Sequence, residues 1–253
     1  MDIAIRTASP ASPSDVERDI RVHLAAMYRL FDHYGWTDLT YTHLSARLPG
    51  SPPRYVINPY GLLFDEITAS NLVTVGFDGR VVRGDHPYNK AGHLIHTAVL
   101  NARPEINYVL HSHTRAAVAV SAMRCGLLPL SQPALVVKPL LAVHPYGVAE
   151  ENAQECARLV SDLGDRYLML LQNHGLLVCG RTPGEAFLYH HFLQQACEIQ
   201  VDVLRTGVDY VTPSDEPTTT LAEWGAPRSK PWGGKQWEAL LRLLERKDPS
   251  FAQ

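Results

Sequence analysis

Two histidines stand one residue apart at the end of an apolar run, NYVLHSHT, which covers residues 107–114. Successive side chains of a strand point to opposite faces, so His111 and His113 are expected to share one face. Neutral imidazole is a common protein ligand for divalent transition metals, and two imidazoles on one face can bind the same ion. The spacing therefore predicts a metal site at the end of this strand.

A third histidine follows a second apolar run, LMLLQNHG, at residues 168–175. Gly175 permits a tight turn that can bring His174 toward His111 and His113. Three imidazoles at strand ends would bind one divalent ion and leave positions open for a substrate. The competing interpretation is that these histidines only hydrogen-bond to backbone at strand exits, but three of them favour the metal.

The other histidines give weaker signals. His144 follows an apolar run and is a candidate acid/base or extra ligand, with a structural role as the alternative. The adjacent His190 and His191 lie in a predicted helix and diverge by about 100°, so they do not easily share a site. His93 and His96 share a helical face, and the apolar residues around them favour packing.

The totals favour small-molecule chemistry. With 253 residues, 23 Lys+Arg against 26 Asp+Glu and a net charge of -3, the chain has no positive excess to attract nucleic acid or an anionic membrane. No apolar run approaches the ~18 residues of a membrane span, and the N-terminus lacks a signal-peptide pattern. The four widely spaced cysteines form no Cys-x-x-Cys pair, so we expect reduced thiols in a cytoplasmic protein.

Periodicity predicts the elements that position the histidines. Helices are predicted to begin at Ser14, Lys90, Thr114, Glu151 and Thr182. The first has a capping-box pattern at Ser14 and Glu17 and stops at Gly35, and the second covers 90–102, where Arg103-Pro104 ends it. Alternation predicts strands at 40–48 and 54–58, and the pair Asp78-Gly79 predicts a hairpin between 72–75 and 80–82. Strands interleaved with helices predict an α/β protein with mixed layers.

Three segments are expected along the chain. Residues 1–13 are rich in Ala, Ser and Pro and predict a flexible N-terminal arm. Residues 14–207 contain the interleaved elements and predict one domain. Residues 208–253 predict a C-terminal arm, extended over 209–231 and ending in a short helix near Trp237, which packs on the same or a neighbouring subunit.

Short motifs between about Val16 and about Val201 resemble those of the class II aldolase/adducin family. They are Gly35-Trp36, THLSAR at 42–47, INPYGLLF at 57–64, Arg103-Pro104-Glu105, HSHT at 111–114 and Asn173-His174-Gly175. The resemblance implies an αβα three-layer fold with a central mixed, largely antiparallel sheet. It also implies a divalent metal, usually zinc, at His111, His113 and His174, and a cyclic homotetramer with active sites near subunit interfaces.

Residue 92 departs from the aldolases of this family, in which a glutamate nineteen positions before the first metal histidine acts as acid and base. Here that position is Gly92, and NKAGH at 89–93 resembles the adducins and replaces the aldolases' Ser-Ser-Glu. His43 stands where aldolases place an Asn, and Tyr60 where they place a Thr. Glycine cannot take a proton, so ordinary sugar-phosphate aldolase activity is not expected.

Several polar residues are candidates for binding a substrate beside the metal. They are His43, Ser45, Tyr60, Gly61 and Lys90. The charge of Lys90 suits a carboxylate as well as a phosphate, although a solvated lysine at a helix start is the plainer interpretation.

Three functions remain open from the sequence. The first is a divalent-metal-dependent lyase that cleaves or decarboxylates a small oxo- or hydroxy-carboxylic acid while the metal stabilises an enolate. The second is a non-haem Fe(II) oxygenase that oxidatively decarboxylates an aryl-pyruvate-type acid, because the family's fold also carries such oxygenases. The third is a non-catalytic adducin-like interaction module, which residues 89–93 favour and the complete set of three histidines opposes. We expect the first.

Overall fold

The computed structural model describes residues 12–147, 153–227 and 230–253. Over these residues the chain forms three layers, in which a β-sheet lies between two layers of helices. The prediction of an α/β protein with an αβα three-layer fold is confirmed. None of the helices in the described ranges is long and apolar enough to cross a membrane.

Eight strands of the described chain form the sheet. They are β1 His43–Leu48, β2 Arg54–Ile57, β3 Val73–Gly76, β4 Val81–Arg83, β5 Tyr108–Ser112, β6 Leu141–His144, β7 Leu168–Leu171 and β8 Gly175–Gly180. Their spatial order is β4-β3-β2-β1-β5-β8-β7-β6. The pair β6 and β7 is parallel, and the other neighbouring strands are antiparallel. The sheet is therefore mixed and largely antiparallel, as predicted.

The described chain contains eight α-helices, of which five pack directly on the sheet. The eight are α1 Pro13–His33, α2 Lys90–Ala102, α3 Arg115–Ser121, α4 Gln132–Val137, α5 Ala153–Leu163, α6 Pro183–Arg205, α7 Asp215–Gly225 and α8 Gly234–Lys247. Helices α2 and α5 pack on one face, and α1, α3 and α6 pack on the other. The predicted start of α5 at Glu151 lies outside the described residues.

The pairing of β1 with β5 decides which side chains meet on each face. His43 lies opposite His111, and Ser45 lies opposite Val109. Directly paired residues of an antiparallel sheet point to the same face, so these four side chains face α2. Ser112, the next residue after His111, points to the other face, toward α6.

Helix α1 begins earlier than the sequence pattern predicted. The side chain of Ser12 accepts from the backbone N–H of Asp15, and Asp15 in turn accepts from the N–H of Ser12. This capping box replaces the predicted one at Ser14 and Glu17. Pro13 explains the shift, because proline has no N–H and its fixed φ suits the first helical position. The predicted end holds, with a left-handed Gly35 (φ 68°) just beyond the helix.

The prediction of an extended segment over 209–231 is wrong for α7. Thr218, Thr219 and Thr220 each donate a hydroxyl hydrogen to the carbonyl four residues earlier. Threonine has a low helix propensity, so the sequence pattern did not indicate a helix. Packing against α4 compensates for this, and the hydroxyl of Tyr189 donates to the carbonyl of Gly225 at 3.3 Å.

The C-terminal part of the described chain packs on its own core. Indole Nε1 of Trp237, in α8, donates to Nδ1 of His23, in α1, at 3.0 Å. Arg29 pairs with Asp248 at 2.9 Å, and the backbone N–H of Ala69 donates to a carbonyl in the last turn of the chain. These contacts correspond to the first of the two predicted arrangements, packing on the same subunit.

Candidate metal centre

The three predicted ligands converge at one end of the sheet. His111 lies in β5, His113 follows that strand, and His174 lies in the turn between β7 and β8. Nε2 of His113 is 2.8 Å from Nε2 of His111 and 2.9 Å from Nε2 of His174. All three ligand atoms lie within 4.8 Å of one another. The fold therefore brings together the histidines that the sequence separates by about sixty residues.

Two neighbouring oxygens orient the imidazoles. Nδ1 of His111 donates to the carbonyl of Leu176 at 2.8 Å, and Nδ1 of His113 donates to the carboxylate of Asp38 at 2.9 Å. A carbonyl or carboxylate oxygen only accepts, so in the neutral rings Nδ1 carries the hydrogen and Nε2 keeps its lone pair. Outer hydrogen bonds of this kind usually orient the histidine ligands of metals.

The convergent Nε2 nitrogens cannot hydrogen-bond to one another, but they can coordinate a divalent cation. The Nε2 lone pairs of His111 and His113 face each other across 2.8 Å with no hydrogen to share. Burial lowers the pKa of His111 well below its usual value, and burial together with His113 lowers the pKa of His174 to about 4, so protonation is disfavoured. A set of three neutral imidazoles fits Zn²⁺, Fe²⁺ or Mn²⁺ and leaves room for a substrate.

The turn between β7 and β8 places His174 at this point. The left-handed residue of the turn is Asn173, with φ of 58°, and the N–H of His174 donates to the carbonyl of Leu171 at 3.0 Å. Gly175, which the sequence indicated as the turn residue, serves a different purpose. A Cβ atom there would collide with the carbonyl of Ser112 and come within 3.1 Å of the His113 ring. Glycine is therefore required so that the two histidine segments can approach.

His43 fills the space beside Gly92. A Cβ atom on Gly92 would lie 2.7 Å from Cγ, Cδ2 and Nε2 of the His43 ring. The centroid of that ring is 5.0 Å from the centroid of the His111 ring. His43 thus lies next to the candidate metal centre, in the position that a side chain of residue 92 would otherwise take.

A buried histidine and a buried serine hold His43. Nδ1 of His43 is 2.9 Å from Nε2 of His96, and Nδ1 of His96 is 2.5 Å from Oγ of Ser45. Ser45 and His96 are fully buried. Burial, with a smaller contribution from the neighbouring histidines, lowers the pKa of both His43 and His96 well below the usual value. Ser45 was predicted to bind substrate, but any such contact would have to pass through His96.

His144, the last residue of β6, packs against α5 and is not part of the histidine centre. Its Nδ1 is 2.7 Å from a carboxylate oxygen of Asp162, and its Nε2 is 2.9 Å from one of Glu155. Both ring nitrogens therefore have carboxylate partners, and the ring is buried. This arrangement argues against the predicted roles of His144 as acid/base or extra ligand, and it ties β6 to α5.

The remaining predicted substrate residues lie around the start of α2. Lys90 is the first residue of α2, is exposed, and makes no hydrogen bond or ion pair with another described residue. Tyr60 and Gly61 are exposed in the turn after β2, where the N–H of Tyr60 donates to the carbonyl of Pro87 at 2.8 Å. The bond to Pro87 places Tyr60 beside the segment that leads into α2, and no hydrogen bond joins any of these three residues to the three histidines among the described residues.

Sequence reasoning missed Asp38 and gave His96 only a packing role. Asp38 lies in an irregular turn whose next residue, Leu39, has φ of 50°. No periodicity marks such a turn, so only the fold places the carboxylate beside His113. For His96 a signal existed, because histidine at this helical face is a polar group that burial must pair with a partner.

The sequence and the architecture have counterparts in known proteins. A family model described as the class II aldolase and adducin N-terminal domain matches residues 22–201. A Caulobacter vibrioides protein, named provisionally as an aldolase class 2 protein, is 44% identical over 242 residues, which are 94% of each chain. Mouse alpha-adducin is 40% identical over 245 residues, 90% of this chain and 33% of the adducin. A crystal structure of an aldolase II superfamily protein from Pseudomonas syringae has a TM-score of 0.89 and 43% identity, covering 96% of this chain and 98% of that one.

A three-layer α/β fold with three convergent imidazoles at the ends of its strands defines a class of candidate metal-dependent proteins. Within that class, the chain belongs to the class II aldolase/adducin family. Membership supports metal-dependent, aldolase-type lyase chemistry in general terms. The substrate and the metal are matters for proposal.

Proposed function

We propose that this chain is a divalent-metal-dependent lyase that acts on a small oxo- or hydroxy-carboxylic acid, by carbon–carbon cleavage or decarboxylation. One observation carries the proposal: three Nε2 lone pairs converge within 4.8 Å while residue 92, beside them, bears no side chain. A site that keeps its ligands and lacks the family's proton-abstracting carboxylate suits reactions in which the metal does most of the work. We propose Zn²⁺, with Fe²⁺ or Mn²⁺ as alternatives.

His111, His113 and His174 would hold the ion, and Asp38 would orient His113 through Nδ1. When bound, a divalent ion polarises a carbonyl oxygen and stabilises an enolate. The carbonyl of Leu176 keeps the hydrogen of His111 on Nδ1 and so presents Nε2 for coordination. Burial of His111 keeps its ring neutral, which is the form that binds a metal.

The surroundings of Gly92 argue against a sugar-phosphate substrate. The aldol-type cleavage of such a substrate needs a group that takes a hydroxyl proton, and Gly92 has none. Lys90 is exposed and makes no hydrogen bond or ion pair with another described residue, so it supplies a charge but no shaped phosphate site. A carboxylic-acid substrate would need fewer protein groups than a sugar phosphate, because the ion and one nearby hydrogen-bond donor would suffice to hold it.

A substrate panel tests this proposal. Protein loaded with Zn²⁺, Mn²⁺ or Fe²⁺ is incubated with 2-oxo acids, 2-hydroxy acids and sugar phosphates, and carbonyl or CO₂ release is measured. We expect turnover of an oxo- or hydroxy-acid that disappears in the His174→Ala variant. Turnover of sugar phosphates alone would overturn the proposed substrate class.

The oxygenase alternative calls for a separate measurement. Three neutral imidazoles can also hold Fe²⁺, although the common oxygenase set contains two histidines and a carboxylate. Oxygen uptake by the Fe²⁺-loaded protein with an aryl pyruvate would favour the oxygenase. Decarboxylation of the same acid without oxygen uptake favours the lyase.

The adducin-like alternative has support in the 40% identity to mouse alpha-adducin. A non-catalytic module would have no need of the convergent ligands, whereas a resident ion stabilises the folded state by mass action. A chelator should therefore lower the melting temperature of protein purified without added metal. An unchanged melting temperature, together with the absence of bound metal, would favour the module.

We also propose a homo-oligomer, with the tetramer of the family as the expected state and no nucleic-acid or membrane partner. Light scattering coupled to gel filtration gives the mass directly. A monomer at micromolar concentration would overturn this part of the proposal.

A further inference from the structure

The ring of His43 has one nitrogen that no neighbour occupies. Its Nδ1 faces Nε2 of His96 at 2.9 Å. Its Nε2 makes no hydrogen bond with any described residue. The buried side-chain atoms without a partner, over the same residues, are Oγ1 of Thr42 and Nδ1 of both His190 and His191, so Nε2 of His43 is not among them. This nitrogen is therefore accessible to solvent.

The open nitrogen belongs to the cavity of the three histidines. His43 and His111 are direct partners across β1 and β5, and their ring centroids are 5.0 Å apart. A role as a fourth ligand is not favoured, because the ligand atoms that lie within 4.8 Å of one another are those of His111, His113 and His174 among the described residues. His43 is placed to contact whatever the ion binds.

The serine at the far end of the chain of hydrogen bonds sets the direction of donation. Oγ of Ser45 has one hydrogen-bonding neighbour among the described residues, Nδ1 of His96 at 2.5 Å. Its hydroxyl hydrogen has an acceptor only if this Nδ1 accepts it, and a buried donor without an acceptor is costly. Nε2 of His96 then carries a hydrogen and donates it to Nδ1 of His43. In a neutral His43 ring, the remaining hydrogen must be on Nε2.

We propose that His43 donates a hydrogen bond from Nε2 to an oxygen atom of the metal-bound substrate, and that His96 and Ser45 are positioning residues that fix this tautomer. The inference rests on the proposed function, because it takes the ligand of the cavity to be a small oxo- or hydroxy-acid. His43 excludes a side chain at residue 92 and replaces it with a fixed neutral donor.

The proposal narrows the reaction as well as the contact. A carboxylate at residue 92 would accept a proton from a substrate hydroxyl, whereas the Nε2–H of His43 stabilises negative charge on oxygen. Donors aimed at a developing oxyanion are the groups that decarboxylation to an enolate requires. The chemistry that fits is therefore a 2-oxo acid that carries a second carboxyl group on C3. The bond from C3 to that group breaks, CO₂ leaves, and the electron pair forms the enolate whose oxygen accepts from His43; water then protonates C3.

Nuclear magnetic resonance of the metal-free protein tests the tautomer without any substrate. Long-range ¹⁵N–¹H correlations show which ring nitrogen carries the hydrogen, and the His43→Gln variant identifies the His43 signals by their loss. We expect the Nε2–H form in the wild type and a mixture of the two forms in Ser45→Ala. Ser112→Ala, which removes a serine–histidine hydrogen bond on the opposite face, should leave the His43 signals unchanged. An Nδ1–H form in the wild type overturns the donor assignment.

Oxalate binding to the Zn²⁺-loaded protein tests the contact. Oxalate presents two oxygens in the geometry of an enolised 2-oxo acid, and titration calorimetry gives its dissociation constant. We expect His43→Leu to weaken oxalate binding by roughly 10–100-fold, the effect of losing a hydrogen bond to a charged group. His43→Gln keeps an N–H donor near the position of Nε2 and should recover most of the loss. Equal binding by wild type and His43→Leu, with Zn²⁺ content equal, overturns the contact.

The two measurements separate the inference from the proposed function. A wild-type protein that binds Zn²⁺ but not oxalate contradicts the oxo-acid proposal and the contact together. Oxalate binding that is unaffected by His43→Leu contradicts the contact alone. If His43→Leu does not fold, His43→Asn, whose shorter side chain withdraws the donor from the position of Nε2, replaces it in the oxalate titration, and Ser45→Ala still decides the tautomer.

Discussion

A serine pairs with a histidine on each face of the sheet. On the α2 face, Oγ of Ser45 lies 2.5 Å from His96, and on the α6 face, Oγ of Ser112 lies 2.8 Å from Nε2 of His190. All four residues are fully buried. The two pairs differ in what the second ring nitrogen of the histidine meets.

On the α2 face the second nitrogen of His96 continues to His43, which opens into the cavity. On the α6 face the second nitrogen of His190 has no partner within the described part of the chain, and its ring packs 4.5 Å from Phe31 and 4.7 Å from Trp36, measured between centroids. The serine–histidine pair is therefore part of a longer series of hydrogen bonds on the α2 face, whereas on the α6 face the series ends at the histidine. A buried serine–histidine pair therefore indicates a functional role only where its hydrogen bonds continue to an accessible atom, here Nε2 of His43. Burial of the pair is the same on both faces and does not distinguish them.

The largest contrast is expected in metal content. His174→Ala removes one of three ligands and should reduce bound Zn²⁺ from about one ion per chain to a trace. His190→Gln, on the opposite face, should retain about one ion. Both are measured by mass spectrometry of the metals after dialysis. Equal metal content in the two variants would show that the ion binds elsewhere.

The next contrast separates the outer partners of β5. Asp38→Asn weakens the acceptor for Nδ1 of His113, so Zn²⁺ affinity should fall by roughly 10–100-fold. Ser112→Ala breaks only the bond to His190 and should change the affinity by less than about threefold. Competition with a fluorescent chelator measures both. A comparable loss in Ser112→Ala would mean that the α6 face also orients the ligands.

A pair of glycines tests whether the α2 face holds His43 rigidly. Both Gly92 and Gly234 lie in the first turn of a helix, but a Cβ atom at residue 92 meets the His43 ring at 2.7 Å, while at residue 234 none of the described neighbouring residues lies within 4 Å. Gly92→Ala should lower the free energy of unfolding by about 1–3 kcal/mol through overpacking. Gly234→Ala should leave it equal or raise it by up to about 1 kcal/mol through helix propensity.

Urea denaturation of both alanine variants measures this difference. Combining Gly92→Ala with His43→Ala should restore part of the lost stability, because the ring that collides is removed. If Gly92→Ala is as stable as Gly234→Ala, His43 is free to move aside and the description of a fixed ring fails.

The smallest contrast concerns pH. Burial, with a lesser contribution from His191, lowers the pKa of His190 from 6.5 to about 3. Between these values the unfolded chain binds a proton that the folded chain does not, so stability falls as pH drops from 6.5 toward 3. In metal-free protein, His190→Gln should flatten this dependence by up to about 1.4 kcal/mol per pH unit. Urea midpoints at pH 6.5, 5.5 and 4.5 measure the slopes, and identical slopes would show that His190 is protonated in the folded state.

Local sequence patterns predicted the elements that carry the three ligands. Helix α2 has the bounds 90–102 that its apolar spacing and the following Arg103-Pro104 predicted. The strands ending in histidine were equally clear, because an apolar run and its polar terminus are adjacent in the chain. Features that depend on neighbours within about one helical turn or one strand could therefore be predicted from the sequence.

The partners of those ligands depend on the tertiary fold. Asp38 reaches His113 across 75 positions, and His96 reaches Ser45 across 51. His144 shows the other side of the same limit, because it follows an apolar run as His111 does. What distinguishes His144 from a metal ligand is its pair of carboxylate partners on α5. No periodicity encodes such pairings, which arise from strand order and helix packing.

The register of β1 against β5 has a consequence for how the protein tolerates insertions and deletions. His43 lies directly opposite His111, so the donor and the first metal ligand are set by one ladder of backbone hydrogen bonds. The turn between β1 and β2, at 49–53, can accept additional residues without altering that ladder. A single residue inserted between His43 and Ser45 would turn one of them to the opposite face, because side chains alternate along a strand. Length variation among related chains should therefore collect at 49–53 and be absent from 43–48 and 108–112.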